Sequence, residues 1–272
     1  MLYFYVLLIG LLVGFISIIF GIGGGVIAVS ALYQLFPDLP PQIIIACSLG
    51  MICLNSLTNV YFFIRSGKRP HLRIIIPIGL SVSAGVLVGG FITELLSQVM
   101  VKKLFGVLLV LIVAKLLFQK SGHGEETEWE EKLRQPLLFK CLLTGFSGGL
   151  LSGLTGLGGG AIMVPLFITL LSMPFKWISL YSNSAMFFGT GTGVIYYLLK
   201  KTPALSHFDA FPIFKNFQFG AVNFLIIALI VLGSNISSRL AIKIHHRMDP
   251  VLIKWLYVAL LIFIAIKILA FS

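Results

Sequence analysis

Along its length the chain alternates long apolar runs with short polar punctuation, and the runs lack the period-two alternation that barrel strands carry. A stretch such as "KKLFGVLLVLIVAKLLF" is apolar around its whole circumference, the pattern of a helix immersed in hydrocarbon. Ile74 to Ile92, Leu104 to Phe118 with its flanks, and Val251 to Phe271 approach or reach the roughly 20 residues that cross about 30 Å of hydrocarbon. The pattern predicts ten segments, at 2–20, 24–36, 42–64, 72–93 and 99–118, then 137–155, 159–173, 177–199, 212–234 and 250–271. Between the two sets lies the acidic stretch "QKSGHGEETEWEEKLRQP", an aqueous linker by composition.

The two sets are copies of one unit. "GFISIIFGIGGGVIAV" from Gly14 matches "GLLSGLTGLGGGAIMV" from Gly149 glycine for glycine, with Ser17 on Ser152. Farther on, "CSLGMICLNSLTNVYFF" from Cys47 lines up with "NSAMFFGTGTGVIYYLL" from Asn183 after a one-residue shift, pairing Ser48 with Ser184 and Tyr61 with Tyr197. "VGGFI" near Val88 corresponds loosely to "LGSNI" near Leu232, and Lys115 and Lys267 close the final apolar helices. The expected organisation is a first transmembrane repeat at 1–118, a linker at 119–136 and a second repeat at 137–272.

Loop charge predicts how the copies sit. Arg65, Lys68, Arg69 and Arg73 mark a cytoplasmic loop by the positive-inside rule, whereas "PDLPP" across segment three has no cation. An odd number of crossings per copy then turns the second copy upside down and returns Arg239, Lys243 and Arg247 to the cytoplasm, although Lys200, Lys201 and Lys215 fall on the outer side. The fold expected is therefore an all-α polytopic membrane protein of two inverted repeats, five hydrophobic segments each, with a glycine-broken segment in each repeat. The segments directly after the glycines are too short for an ordinary perpendicular crossing. They are either half-helices of a re-entrant hairpin or short tilted spans.

Composition agrees with immersion in lipid. Mean hydropathy is +1.04, and with 58% hydrophobic and 11% charged residues a soluble globule of this size could not be covered by polar side chains. A formal charge of +11 raises nucleic acid as a partner, but the cations sit in short loops where they set topology. Cys47, Cys53 and Cys141 show no metal-ligand spacing and read as small buried hydrophobes, so no metal or cofactor is expected. The N-terminal run lacks a basic leader and a cleavage pattern, which predicts a retained helix. Oligomeric state is not legible.

The glycines carry the candidate chemistry. Unwound backbone in lipid is costly unless it is buried in protein or lines a polar cavity, and paired breaks in inverted repeats are where transporters place their sites. Gly21, Gly23, Gly24 and Gly25, with Gly156, Gly158, Gly159 and Gly160, can turn backbone N–H groups toward an anion. The helix that follows each set adds a positive dipole end. The competing role is close packing, which suits the small-xxx-small pairs Gly10/Gly14, Gly85/Gly89, Gly149/Gly153 and Gly189/Gly193. No acidic residue stands where a dinucleotide fold needs one. In the third segments Ser48, Asn55, Asn183, Ser184 and Thr190 are candidate hydrogen-bond donors to an oxyanion. Ser56, Thr58, Asn59, Ser182 and Thr192 read as interhelical glue. No Asp or Glu lies deep in a predicted span, Glu94 and Asp249 being near ends, so the pattern shows no carboxylate proton relay.

Two other classes compete with transport. "GFSGG" at Gly145 to Gly149 matches G-x-S-x-G and the G-x-S-G of rhomboid proteases, making Ser147 a conceivable intramembrane nucleophile. Its candidate bases His71, His123, His207, His245 and His246 all lie in polar loops. A non-transporting assembly factor is the other.

With its duplicated "GIGGGVIAV" and "GLGGGAIMVP" and its third-segment "ACSLGMICLNS" and "SNSAMFF", the chain resembles the TauE/SafE family of sulfite exporters, also called the TSUP permeases, over nearly its whole length outside the linker. The resemblance implies movement of sulfur-containing anions such as sulfite, sulfoacetate or other organosulfonates, and a bacterial inner-membrane location.

Overall fold

The computed structural model describes residues 2–36, 39, 41–95, 110, 114, 137–200, 216–245 and 248–249, with scattered positions between 251 and 266. Among these residues the helices are α1 (Leu2–Phe20), α2 (Gly25–Leu35), α3 (Pro41–Arg65), α4 (Leu72–Leu95), α5 (Leu138–Thr155), α6 (Gly160–Thr169), α7 (Phe175–Leu199) and α8 (Phe224–His245). A short antiparallel hairpin, β1 (Gln218–Phe219) and β2 (Val222–Asn223), precedes α8. The expected fifth segments at 99–118 and 250–271, Lys115, Lys267 and the linker at 119–136 fall outside the described residues, scattered positions apart. Among the described residues four stretches are long and apolar enough to cross a bilayer: Gln42–Arg65, Leu72–Thr93, Leu138–Thr155 and Phe224–Ile244. The chain is a multi-pass helical membrane protein.

One segment departs most from the hydrophobic pattern, at both of its ends. The pattern begins the second copy's fourth segment at 212 and ends it at 234, whereas the helix runs from Phe224 to His245. Gly220 takes a left-handed φ of 56°, the chain turns there, and Asn223 caps the new helix by accepting from the Ile226 N–H at 3.2 Å. The helix continues past 234 because small residues hold it against α1. A Cβ on Gly14 would lie 2.6 Å from the Ser234 Cα, and one on Gly10 would lie 3.1 Å from the Gly233 Cα.

Helix directions follow from such ladders. On α1 and α8, Gly10 meets Ile230 and Gly14 meets Ser234, so both helices run the same way. On α5 and α4, Gly145, Gly149 and Gly153 meet the carbonyls of Ile78, Val82 and Val86 in that order, again in parallel. Without a hydrophobic force between helices in lipid, close backbone approach at small residues supplies the attraction. The first helix of each half thus packs on the fourth helix of the other.

The third helices run opposite to each other. Leu49 touches Gly193, Cys53 lies 3.6 Å from a Cβ on Gly191, and Asn59 bonds Asn183; the numbers rise on α3 as they fall on α7. At one end of this pair Lys68 Nζ donates to the Lys176 carbonyl at 2.8 Å and stands over the Trp177 ring. The ends of α1, α3 and α8 gather there with the start of α7 through Ile18, Phe63, Ala241 and Leu180. Arg239 and Lys243 therefore share the face of Arg65 and Lys68.

Candidate functional site

Both glycine motifs unwind in the same way. Gly21, Gly23 and Gly24 have φ of 68°, 72° and 72°, and Gly156, Gly158 and Gly159 have 71°, 83° and 68°. An L side chain in this region costs about 1–2 kcal/mol per residue, which explains three glycines at matching places in each copy. The α2 and α6 helices start from these turns, capped by Gly24 and Gly159 without any side-chain hydrogen bond. With 11 and 10 residues they rise only about 16 and 15 Å, half of a bilayer core.

The motifs meet each other. A Cβ on Gly25 would lie 2.8 Å from the Leu157 carbonyl oxygen, and one on Gly160 would lie 2.5 Å from the Ile22 Cα and 2.8 Å from the Gly21 oxygen. Ile22 and Leu157 occupy the same place in their motifs, so the contact is reciprocal. Because α2 leads into α3, α6 leads into α7, and α3 and α7 are antiparallel, the two short helices leave this contact in opposite directions. Their N-termini are brought together in the middle of the protein, beside Ile52 of α3 and Met186 of α7. Every residue of 21–25 and 156–160 is buried. The first N–H groups of a helix lack intrahelical acceptors and carry partial positive charge, and here two such ends are buried side by side with no side-chain cap. Such an arrangement can bind an anion.

Side chains bind the motifs to the third helices. Ser48 Oγ donates to the Gly156 carbonyl at 2.7 Å, and Ser182 Oγ donates to the Gly21 carbonyl at 2.5 Å. Gly156 packs on the Ile45 Cα and Gly21 on the Ser179 Cα, at 2.9 and 2.8 Å from a Cβ. The structural partner of Ser48 is therefore Ser182. The sequence match, which pairs Ser48 with Ser184 and Tyr61 with Tyr197, is two residues out of register on α7. Likewise Gly233 lies against the Leu7 carbonyl as Ser81 lies against that of Leu142, so the stretch near Leu232 corresponds to Ser81 and not to Val88.

The other candidates divide. Ser184 donates to the Leu180 carbonyl and Thr190 to that of Met186, at 2.8 and 2.7 Å, bonds one turn back in their own helix. Asn183 Nδ2 donates to the Ser179 carbonyl at 2.8 Å, while its Oδ1 accepts from Asn59 Nδ2 at 3.0 Å. Asn55 Nδ2 points at Met51 Sδ, 3.2 Å away, and its Oδ1 has no partner among the described residues. Asn59, read from sequence as glue, is the hub. It also donates to Ser17 Oγ at 2.9 Å and accepts from Ser238 Oγ at 3.3 Å. Ser179 Oγ closes the group on the Ile18 carbonyl at 2.6 Å. The spacing Ser179, Ser182, Asn183 on one helical face is the sequence signal for this cluster. Ser147 donates to the Leu143 carbonyl at 2.8 Å, again a bond within its own helix.

A polytopic helical protein with two buried, opposed helix breaks belongs by class with the membrane transporters. The family model described as Sulfite exporter TauE/SafE matches residues 6–268, and the chain belongs to that family. It is 31% identical over 262 residues to a probable membrane transporter protein of Haemophilus influenzae, covering 96% of this chain and 94% of that one. Identity is 26% to one of Methanocaldococcus jannaschii, covering 90% and 86%, and 24% to one of Bacillus subtilis, covering 88% and 87%. No solved structure gives a significant match.

Proposed function

We propose that the protein is a permease for small sulfur-containing anions, sulfite, sulfoacetate or another organosulfonate, held where two inverted repeats of five segments meet. The observation that carries this reading is the buried contact between two helix N-termini without side-chain caps, Gly24–Gly25 and Gly159–Gly160. Two positive ends at the centre of a membrane protein repel each other, and an anion between them removes that repulsion. The family description supplies the sulfur chemistry.

Backbone amides of Gly23, Gly24 and Gly25 and of Gly158, Gly159 and Gly160 act as the main donors, whereas the Gly21 and Gly156 N–H groups already donate to the Ser17 and Ser152 carbonyls at 3.0 and 2.9 Å. Ser48 and Ser182 hold these loops in shape through the carbonyls. Among the side chains expected to bind, Asn183, Ser184 and Thr190 serve as supports, and the unpartnered atom of Asn55 is its Oδ1, an acceptor that cannot donate to an anion. The antiparallel third helices and the crosswise packing of first on fourth helices are what an inverted repeat requires. Reconstitution tests the proposal. Proteoliposomes under an imposed potential should pass sulfite or an organosulfonate faster than sulfate and chloride; no flux for any anion contradicts it and favours a non-transporting role.

A further inference from the structure

Beside the first glycine motif, α3 and α8 bury two polar side chains that nothing in the site above uses. Asn55 Oδ1 and Ser234 Oγ lack hydrogen-bond partners among the described residues, and both residues are 1% exposed. They lie at one depth. Gly50 of α3 meets Ile227 of α8, and nine residues farther along Asn59 bonds Ser238, so the helices run in parallel and Asn55 falls opposite Ser234. The second half confirms the pairing through its own equivalents. In the register set by Ser48 with Ser182, Asn55 corresponds to Gly189, and in that set by Ile230 with Ile78, Ser234 corresponds to Val82. Gly189 and Val82 are in direct contact.

Where the second half fills this place with a valine on a glycine, the first half has an amide oxygen and a hydroxyl that do not bond each other. A buried polar oxygen without a partner costs about 1–3 kcal/mol, and two facing oxygens call for something between them. We infer that this place binds a small monovalent cation, sodium in its chemistry. The open ligands are neutral oxygens, with Ser238 and Asn59 supplying further oxygens one turn away, and among the described residues no buried carboxylate is there to favour a divalent ion. The neighbouring α2 N-terminus, whose Gly24 packs on Val13 of α1, repels a cation when the centre is empty and less when an anion fills it. Resting on the anion proposal in this respect alone, cation and anion then raise each other's affinity.

The test uses the purified full chain without any sulfur anion. Replacing choline by Na+ at constant ionic strength and pH, with gluconate as counter-ion, should raise the unfolding midpoint by about 3–5 °C at ten times the Kd. K+ should raise it by less. The double variant Asn55→Gly with Ser234→Val, which copies the packing of the second half, should fold and lose the Na+ response. Equal midpoints in Na+ and choline, as expected if water alone sits there, overturn the inference, and so does a full Na+ response in the variant. A Na+ response in a protein without anion flux would leave this site standing and remove the permease reading instead.

Discussion

The two glycine motifs share a backbone, but their surroundings differ. Beside the first, Ser17, Asn59, Asn183, Ser179 and Ser238 form one buried hydrogen-bonded cluster. At the corresponding places beside the second stand Ser152, Gly193, Leu49, Ile45 and Val86, where Leu49 and Val86 close on Gly193 and the Ser152 hydroxyl has no partner among the described residues. What the two motifs share are the parts that demand a particular backbone, the glycines and the serines that hold their carbonyls. The side chains on either side differ. A two-fold site can therefore be flanked by a polar cluster toward the basic loops and by an apolar plug on the opposite side.

Substitutions separate the two flanks. Asn59→Leu should have the largest effect, because it strands Asn183 Oδ1 and Ser238 in the interior; a loss of about 2–4 kcal/mol is expected. Unfolding in a denaturing detergent series reads it, and a loss below about 0.5 kcal/mol would reduce the cluster to incidental contacts. Ser48→Ala and Ser182→Ala probe what the halves share. Each removes one bond to a glycine carbonyl, so equal losses of about 1 kcal/mol are predicted, with a reduced maximal flux in both. A marked effect in one alone would break the equivalence of the motifs.

The smallest difference is the most discriminating for the flanks. Ser17→Ala removes an acceptor that Asn59 uses and should cost about 1 kcal/mol, whereas Ser152→Ala deletes an unpartnered hydroxyl and should be neutral or slightly stabilising. The same unfolding assay decides, and equal losses would mean that Ser152 has a partner after all.

Much of this was legible from the chain. The glycine motifs stood out because left-handed backbone tolerates little else, so both copies kept the same residues. The alternation of apolar runs and loop cations located the ends of α3, α4 and α5 closely. Register on α7 was not legible, since Ser182 and Ser184 match Ser48 equally well by residue type and only the Gly21 carbonyl tells them apart. The start of α8 was hidden in an apolar stretch whose turn depends on Gly220. Asn59 looked like glue because its partners lie on three other helices, at separations no local pattern reveals.

If the two motifs make one site, they hold one anion between them. Calorimetric titration of the purified protein with sulfite or an organosulfonate, alongside Gly25→Ala and Gly160→Ala, whose added methyls would push Leu157 and Ile22 apart from the opposite helix end, tests this. One anion per chain is expected, with either substitution weakening the same binding event by about tenfold or more, roughly 1.4 kcal/mol. Two anions per chain, with each substitution removing one and sparing the other, would contradict it.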